Sequence, residues 1–135
     1  MKPATNPSSP AAEPTLGAHF NPRSRLAADM PTDGCVVLRE HQASVPSVVG
    51  AIRVTNARGN IWERHDHGDE VLVLLSGAAT MTLRDADGAT TDRPLSPSDV
   101  LVIPRGVAHR ATLHTNEVQA LFVTPRTGTV EWADD

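Results

Sequence analysis

The chain has 135 residues, of which 21% are charged and 39% hydrophobic, and its formal net charge is -4. This length fits one domain and excludes a second large one. The acidic balance disfavours nucleic acid and anionic membranes as partners, because both favour a basic patch. No apolar stretch approaches the roughly 20 residues of a membrane-spanning helix. Cys35 is the only cysteine, which excludes an internal disulfide and makes a reducing cytoplasm the expected location.

The first 33 residues differ in composition from the rest of the chain. Six of the 11 prolines precede Gly34, in a segment rich in Ala, Ser and Thr. Such a segment lacks the apolar periodicity that would repay its ordering entropy. We therefore predict a mobile or loosely packed Pro/Ala-rich arm over residues 1–33, anchored by Phe20 and Leu26, and a folded domain over residues 34–135. An arm that crosses a partner subunit is the alternative.

Short β-branched runs dominate from Cys35 onward, at roughly the 8–12-residue spacing of an all-β sandwich or barrel. The runs are CVVL (35–38), SVVGAIRVT (47–55), EVLVLLS (70–76), ATMTLR (79–84), DVLVIP (99–104) and VQALFVT (118–124). The Asp87-Gly88 pair after ATMTLR predicts a hairpin. The run Val71–Leu75 is apolar on both faces and should be covered on both. A core inside and a second subunit outside would do so, which predicts a homodimer.

Histidines and carboxylates are concentrated in two segments, GNIWERHDHGDE (59–70) and IPRGVAH (103–109). Because side chains alternate along a strand, Glu63, His65 and His67 can all point to one face. Glu70 then opens an apolar strand, where a buried carboxylate is costly unless it is paired or coordinated. Together with His109, these groups would form a mixed nitrogen and oxygen site suited to Fe, Mn, Co, Ni, Zn or Cu.

The two segments resemble the motifs of the cupin superfamily, G-x5-H-x-H-x(3,4)-E-x6-G and G-x5-P-x-G-x2-H-x3-N. The matching positions are Gly59-x5-His65-x-His67 and Glu70-x6-Gly77 in the first motif, and Pro104-x-Gly106-x2-His109 in the second. The resemblance covers about residues 45–125. It implies a small single-domain cupin of type 2, an all-β jelly-roll barrel that holds one divalent transition metal through His65, His67, Glu70 and His109.

The sequence departs from these motifs at three points. Only two residues separate His67 from Glu70, where the family has three or four. Ser98 replaces the first Gly of the second motif, and Leu113 replaces its final Asn. The short interval permits a second register, in which Glu63 takes the place of the first histidine. This register resembles small cupins with a Trp-Glu-x-His signature followed by Asp-Glu. The fourth ligand is therefore either Glu63 or His67, beside His65, Glu70 and His109.

Neighbouring residues have supporting roles in this interpretation. The Pro104-Arg105-Gly106 turn is expected to aim His109, with glycine supplying an unusual backbone angle. Asp69 either orients a ligand histidine or caps the bend before Glu70. Trp62 is expected to pack in the fold rather than to line the mouth of the pocket.

The resemblance implies a metal-dependent enzyme that acts on a small oxygen-rich organic molecule. Dioxygenase-type or isomerase- and cyclase-type reactions are expected, with the ion as Lewis acid, template or redox centre. Glu70 or Glu63 is the candidate catalytic base if it is not a ligand in the working state. A non-catalytic cupin that binds a metal or small ligand, as a sensor or accessory module, is the alternative. The third hypothesis is a structural barrel whose polar cluster holds no metal.

Overall fold

The computed structural model of the chain describes residues 17–26, 33–55 and 60–134. Within these ranges the chain forms ten strands and one four-residue helix. They are β1 (Ala18–Phe20), α1 (Pro22–Arg25), β2 (Ser47–Val54), β3 (Ile61–His65), β4 (Glu70–Ser76), β5 (Ala79–Arg84), β6 (Thr90–Leu95), β7 (Val100–Ile103), β8 (Ala108–Leu113), β9 (Val118–Pro125) and β10 (Thr129–Ala133). No helix among the described residues is long and apolar enough to cross a membrane.

The strands form two antiparallel five-stranded sheets. Their strand orders are β1-β7-β4-β9-β2 and β10-β3-β8-β5-β6. From β2 onward the chain passes from one sheet to the other at almost every connection, and the β5–β6 hairpin is the exception. The inner faces of both sheets therefore enclose one core, as in a jelly roll. The predicted all-β barrel is confirmed.

The core lies between the sheets and is purely aliphatic at its centre. Leu83, Leu101 and Ile103 are almost fully buried, and Leu74 and Met81 pack with them. All four residues of β7 are buried, because this strand has β1 on one side, β4 on the other and the core beneath. This wall supports the inward side chains of β4, which begin with Glu70.

The outer face of β4 is covered in part by the chain itself. Val71 and Val73 pack against a second buried cluster together with Leu38. The members of that cluster are Ala18, Phe20, Val100 and Val102. The sequence predicted that a second subunit would cover the outer side of the Val71–Leu75 run. Over Val71 and Val73, residues of the same chain provide this cover instead.

The predicted N-terminal arm lies largely outside the described residues, which omit 1–16 and 27–32. Its described part, 17–26, is packed on the barrel, because β1 pairs with β7 and Phe20 is buried. Leu26 is 57% exposed, so within this chain it does not anchor the arm. The polar anchors are His19 and Asn21, which both contact the carboxylate of Asp99.

Two local predictions have opposite outcomes. The CVVL run, predicted to be a strand, forms only an isolated bridge at Val36. Leu38 packs on the outer cluster, whereas Val37 is 51% exposed. The hairpin between β5 and β6 is confirmed. Gly88 has a φ of +87°, and its N–H donates to the Asp85 carbonyl at 3.0 Å.

Candidate metal centre

Four polar side chains meet on the inner face of the barrel. Glu63 and His65 come from β3, Glu70 from the first position of β4, and His109 from β8. One ligand atom of each lies within 4.8 Å of those of the other three. His65, Glu70 and His109 are buried, whereas the Glu63 side chain is 32% exposed. The structure thus brings together the three residues common to both predicted registers, with Glu63 as the fourth.

Strand pairing and one turn create this convergence. Glu63 lies directly opposite His109 where β3 pairs with β8. His65 follows two positions later on the same face of β3. The chain reaches β8 through a tight turn in which the Val107 N–H donates to the Pro104 carbonyl at 3.1 Å. Gly106 has a φ of +79° there, as a type II turn requires, so the predicted turn is confirmed.

His67 lies outside the cluster. β3 ends at His65, and residues 66 and 67 form a turn, so strand alternation no longer directs the His67 side chain inward. Its ring lies so close to Gly128 that a Cβ there would come within 2.6 Å of it. Its Nδ1 lies 2.8 Å from the Thr127 hydroxyl. Packing against the β9–β10 turn thus places His67 apart from the other predicted ligands.

Asp69 holds loops together rather than orienting a ligand histidine. One carboxylate oxygen accepts the Arg105 N–H at 2.9 Å, and the other accepts the Gln42 N–H at 3.1 Å. The Arg105 guanidinium also donates to the Asp66 carbonyl at 2.7 Å. These bonds fix the turn before β8 against the loop before β4, and so fix His109 relative to Glu70.

Trp62 packs on the outside of the same sheet, as predicted. It is 0% exposed, and its indole N–H donates to the Asp134 carboxylate. The guanidinium groups of Arg84 and Arg110 lie 3.9 and 4.6 Å from its ring centroid. This layer stiffens β3 behind Glu63.

Hydrogen bonds at the far ring nitrogens set the orientation of both histidines. His109 Nδ1 lies 3.1 Å from the Val107 carbonyl, which can only accept, so this nitrogen carries a proton. His65 Nδ1 lies 2.9 Å from the Thr129 hydroxyl. Both Nε2 atoms therefore face the carboxylates. In neutral His109 an Nε2 lone pair would face them, an arrangement that requires a proton or a metal ion between the groups.

Without a metal ion, the mutual attraction of these groups shifts their protonation. Burial alone would lower the pKa of His65 and of His109, but the carboxylates of Glu63 and Glu70 outweigh it and raise each pKa to about 9. Burial likewise works to raise the pKa of Glu70, yet the two histidines lower it to about 2. The pKa of Glu63 is also strongly lowered by its close contacts with the rings of His109 and His65. The metal-free cluster at neutral pH is thus two carboxylates and two imidazolium groups.

The spacing of the donor atoms fits a common ion. His65 Nε2 lies 2.8 Å from Glu63 Oε1 and 3.0 Å from Glu70 Oε2, and His109 Nε2 lies 3.4 Å from Glu70 Oε1 and 3.7 Å from Glu63 Oε1. Metal bonds of about 2.1 Å place neighbouring ligand atoms about 3.0 to 3.4 Å apart. His65 Nε2 is buried and makes no well-directed hydrogen bond to either carboxylate. The cluster could therefore hold a divalent metal.

Two threonines complete the site, and the sequence reasoning missed both. The Thr124 hydroxyl donates to Glu70 Oε2 at 2.6 Å, and the Thr129 hydroxyl contacts His65. Thr124 lies on β9, in inward register with Val118, Ala120 and Phe122. A polar residue at the end of an apolar inward series is the signal that could have identified it.

The cluster forms part of the wall of a cavity of about 460 Å³. Apolar side chains from both sheets make up most of the remaining wall. Glu63 is the most exposed of the four cluster residues, so it offers the carboxylate most accessible to a bound molecule.

Comparison with known proteins places the fold. Scans of the sequence against protein-family models and against curated proteins give no match. Bacillus subtilis oxalate decarboxylase, whose Mn(II) centres are the subject of one of its structures, is similar at a TM-score of 0.53 and 18% identity. The similarity covers 67% of this chain and 24% of the decarboxylase chain. Acireductone dioxygenase from Bacillus anthracis, with a cadmium ion in its active centre, is similar at a TM-score of 0.52 and 23% identity.

The chain has the cupin fold. Its match to the dioxygenase covers 63% of this chain and 55% of the other. It therefore spans about a quarter of the decarboxylase and about half of the dioxygenase. At these identities the likeness concerns the fold.

One departure from the cupin motifs now has a structural explanation. Ser98, which replaces the glycine that opens the second motif, has a φ of +78°. Its N–H donates to the Leu74 carbonyl at 2.7 Å. The backbone thus keeps the left-handed conformation that favours glycine, at some cost in strain. Gly59 of the first motif lies outside the described residues.

Proposed function

We propose that the protein is a metal-dependent cupin enzyme that acts on a small organic molecule through its oxygen donors. The reaction would be of the dioxygenase type or of the isomerase and cyclase type. The observation that carries this proposal is the cluster of two buried imidazoles, one buried carboxylate and one half-buried carboxylate in the wall of a cavity of about 460 Å³. Buried polar groups facing a cavity that is otherwise largely apolar are typical of ligand and active sites.

In this proposal His65, Glu70, His109 and Glu63 hold one divalent ion of Fe, Mn, Zn, Ni, Co or Cu. Such an ion supplies Lewis-acid or redox chemistry at the cavity wall. The hydrogen bonds to Val107 and Thr129 fix the ring orientations, so that both Nε2 atoms face one point. Asp69 and Arg105 keep the loop that carries His109 in place.

The two carboxylates are not equivalent. Glu70 is held by the Thr124 hydroxyl and is 8% exposed at its side chain, so it is suited to a fixed ligand role. Glu63 is 32% exposed. If Glu63 leaves the ion in the working state, its ionised carboxylate could accept a proton from a molecule in the cavity, which makes Glu63 the candidate general base.

Metal content and substrate-dependent oxygen consumption test this proposal. After native purification we expect about one equivalent of a transition metal by elemental analysis. Glu63→Gln and His109→Ala should each weaken metal binding at least about 100-fold, since each removes a ligand, whereas the matched change His67→Gln should leave it within about twofold. Retained affinity in Glu63→Gln together with loss in His67→Gln would overturn the ligand set.

Oxygen uptake with panels of diketones and phenols, together with product analysis for isomerised or cyclised compounds, separates an enzyme from a binding module. Turnover that is lost on metal removal supports the enzyme. Metal binding without turnover on either panel would favour the non-catalytic cupin. A content below about 0.1 equivalent of metal, with no affinity on titration, would refute both.

We also propose that a second copy of the chain covers the outer face of β2 and β9. Val49, Leu75 and Leu121 are 74%, 47% and 40% exposed. Val49 lies opposite Val123, and Leu121 lies opposite Val73, so these residues extend one apolar outer face. Light scattering should give the mass of a dimer, and Leu121→Glu should give the monomer. A monodisperse wild-type monomer would refute this arrangement.

A further inference from the structure

The cavity is polar at one end and apolar along its length. The inward side chains of β4 are Glu70, then Leu72, then Leu74. The inward side chains of β8 follow the same sequence from polar to apolar, namely His109, Ala111 and Leu113. Because alternate residues of a strand lie about 6.6 Å apart, the apolar wall extends about 13 Å from the cluster.

The third long wall repeats this order. On β9 the inward series begins with Thr124, which bonds to Glu70, and continues through Phe122 and Ala120 to Val118. On three strands from the two sheets, therefore, the polar inward residue lies at the cluster and apolar inward residues follow it.

The other charged residues at the cavity do not reach its apolar part. The Arg110 guanidinium lies over the Trp62 ring on the outside of the sheet and faces Asp134 at 3.5 Å. Glu131 lies directly opposite Glu63 on the edge strand β10, so it belongs to the cluster end of the cavity. Among the residues that line the cavity, no cationic side chain is thus placed to pair with a carboxylate or phosphate held away from the cluster.

We propose that the substrate of this site has an uncharged apolar body, with its oxygen donors confined to one end. The donor end rests on the proposed function, whereas the apolar body rests on the wall alone. At about 30 Å³ for a water-sized unit, the volume of about 460 Å³ holds about 15 non-hydrogen atoms. A small dicarboxylate would leave the apolar wall without contacts and one carboxylate without a cation.

Two edge strands offer a matched pair of variants. Ile52 lines the cavity and is 47% exposed, so a charge can be introduced there without opening the core. Val130 is 37% exposed on β10, the edge strand of the other sheet, on the face away from the cavity and outside the proposed contact between copies. The substitutions Ile52→Glu and Val130→Glu therefore differ in whether the charge lines the cavity.

The experiment uses the neutral fluorescent probe 1-aminoanthracene and its displacement by 4-alkylphenols, from phenol to 4-hexylphenol. It is run on the full chain, both metal-free and loaded with Zn²⁺. We expect affinity to rise about 3- to 4-fold for each added methylene in both forms, because each is buried against the wall. Oxalate and adipate should displace the probe at least about 100-fold less effectively than 4-hexylphenol. A rise below about 1.5-fold for each methylene, or displacement by adipate equal to that by 4-hexylphenol, would overturn the inference.

The variants show where the probe binds. Ile52→Glu should weaken binding of 4-hexylphenol at least about 10-fold, since a charge would then line the cavity, and Ile52→Lys should act alike. Val130→Glu should leave it unchanged, and equal losses in both glutamate variants would place the probe elsewhere. A flat series in a protein that still binds metal would refute this inference alone. A steep series in a protein without metal affinity would refute the proposed function alone.

Discussion

Raising the pH from 7 to 8 should increase the apparent affinity for a divalent metal by about 100-fold. In the metal-free protein the pKa values of His65 and His109 are raised to about 9, so both are almost fully protonated at pH 7. A ligand imidazole must be neutral, so one ion displaces two protons. Histidines at their ordinary pKa of about 6.5 would already be neutral, and the same pH step would then change the affinity less than about twofold.

Competition against a fluorescent chelator with Mn²⁺ measures this slope, and calorimetry in buffers of different ionisation enthalpy counts the protons directly. His67→Gln is the control and should show the wild-type slope, because its ring contacts Thr127 and Gly128 rather than the cluster. An affinity that rises less than about fivefold between pH 7 and 8, with fewer than one proton released, would refute the assignment of two imidazolium groups to the metal-free cluster.

Three further outcomes are expected. Thermal melts of metal-free protein in chelator should show maximum stability between about pH 4.5 and 6.5. The raised pKa values of His65 and His109 contribute on the order of 3 kcal/mol each, and this stability is lost as the pH rises toward 9. The lowered pKa of Glu70 contributes stability that is lost as the pH falls toward 2. A stability curve that rises from pH 7 to 9 would contradict this. Ser98→Gly should stabilise the fold by about 0.5–1 kcal/mol in denaturant titrations, because it relieves a φ of +78°, whereas the control Ser96→Gly should destabilise it. Asp134→Ala should lower the free energy of unfolding by about 1–3 kcal/mol, since the buried indole N–H of Trp62 loses its acceptor. Asp134→Asn keeps an acceptor and should lower it less. Equal losses in the two variants would exclude the hydrogen bond as the cause.

Local sequence rules sufficed for the part of the site that lies within regular strands. Leu72 and Leu74 line the cavity below Glu70, as strand alternation predicts. The Pro104–Gly106 turn aims His109 at the same point. The resemblance to the cupin motifs supplied the one long-range fact that these rules lack, namely that the two segments face each other inside one barrel.

The choice between Glu63 and His67 could not be made from the same rules. It depends on where β3 ends, and β3 ends at His65. Beyond that residue the chain turns, while Thr127 and Gly128, some 60 residues along the sequence, contact the His67 ring. A contact at that separation leaves no trace in the periodicity of the segment.

The packed N-terminal strand was hidden for a related reason. β1 has three residues, too few for a periodic signal, and is fixed by pairing with β7 and by the contact of His19 with Asp99. Composition describes such a segment as loose, because composition counts apolar residues and does not record the partners that cover them.

The charges of the cluster explain how a buried polar site can coexist with this small barrel. Two carboxylates at Glu63 and Glu70 are balanced either by two protons on the histidines or by one divalent ion, so the site is neutral in both states. The core around Leu83, Leu101 and Ile103 is formed by other side chains and does not require the ion. Exchange of two protons for one divalent ion would therefore leave the charge of the site unchanged, and the apolar wall, formed by other side chains, would be available to a ligand in both states.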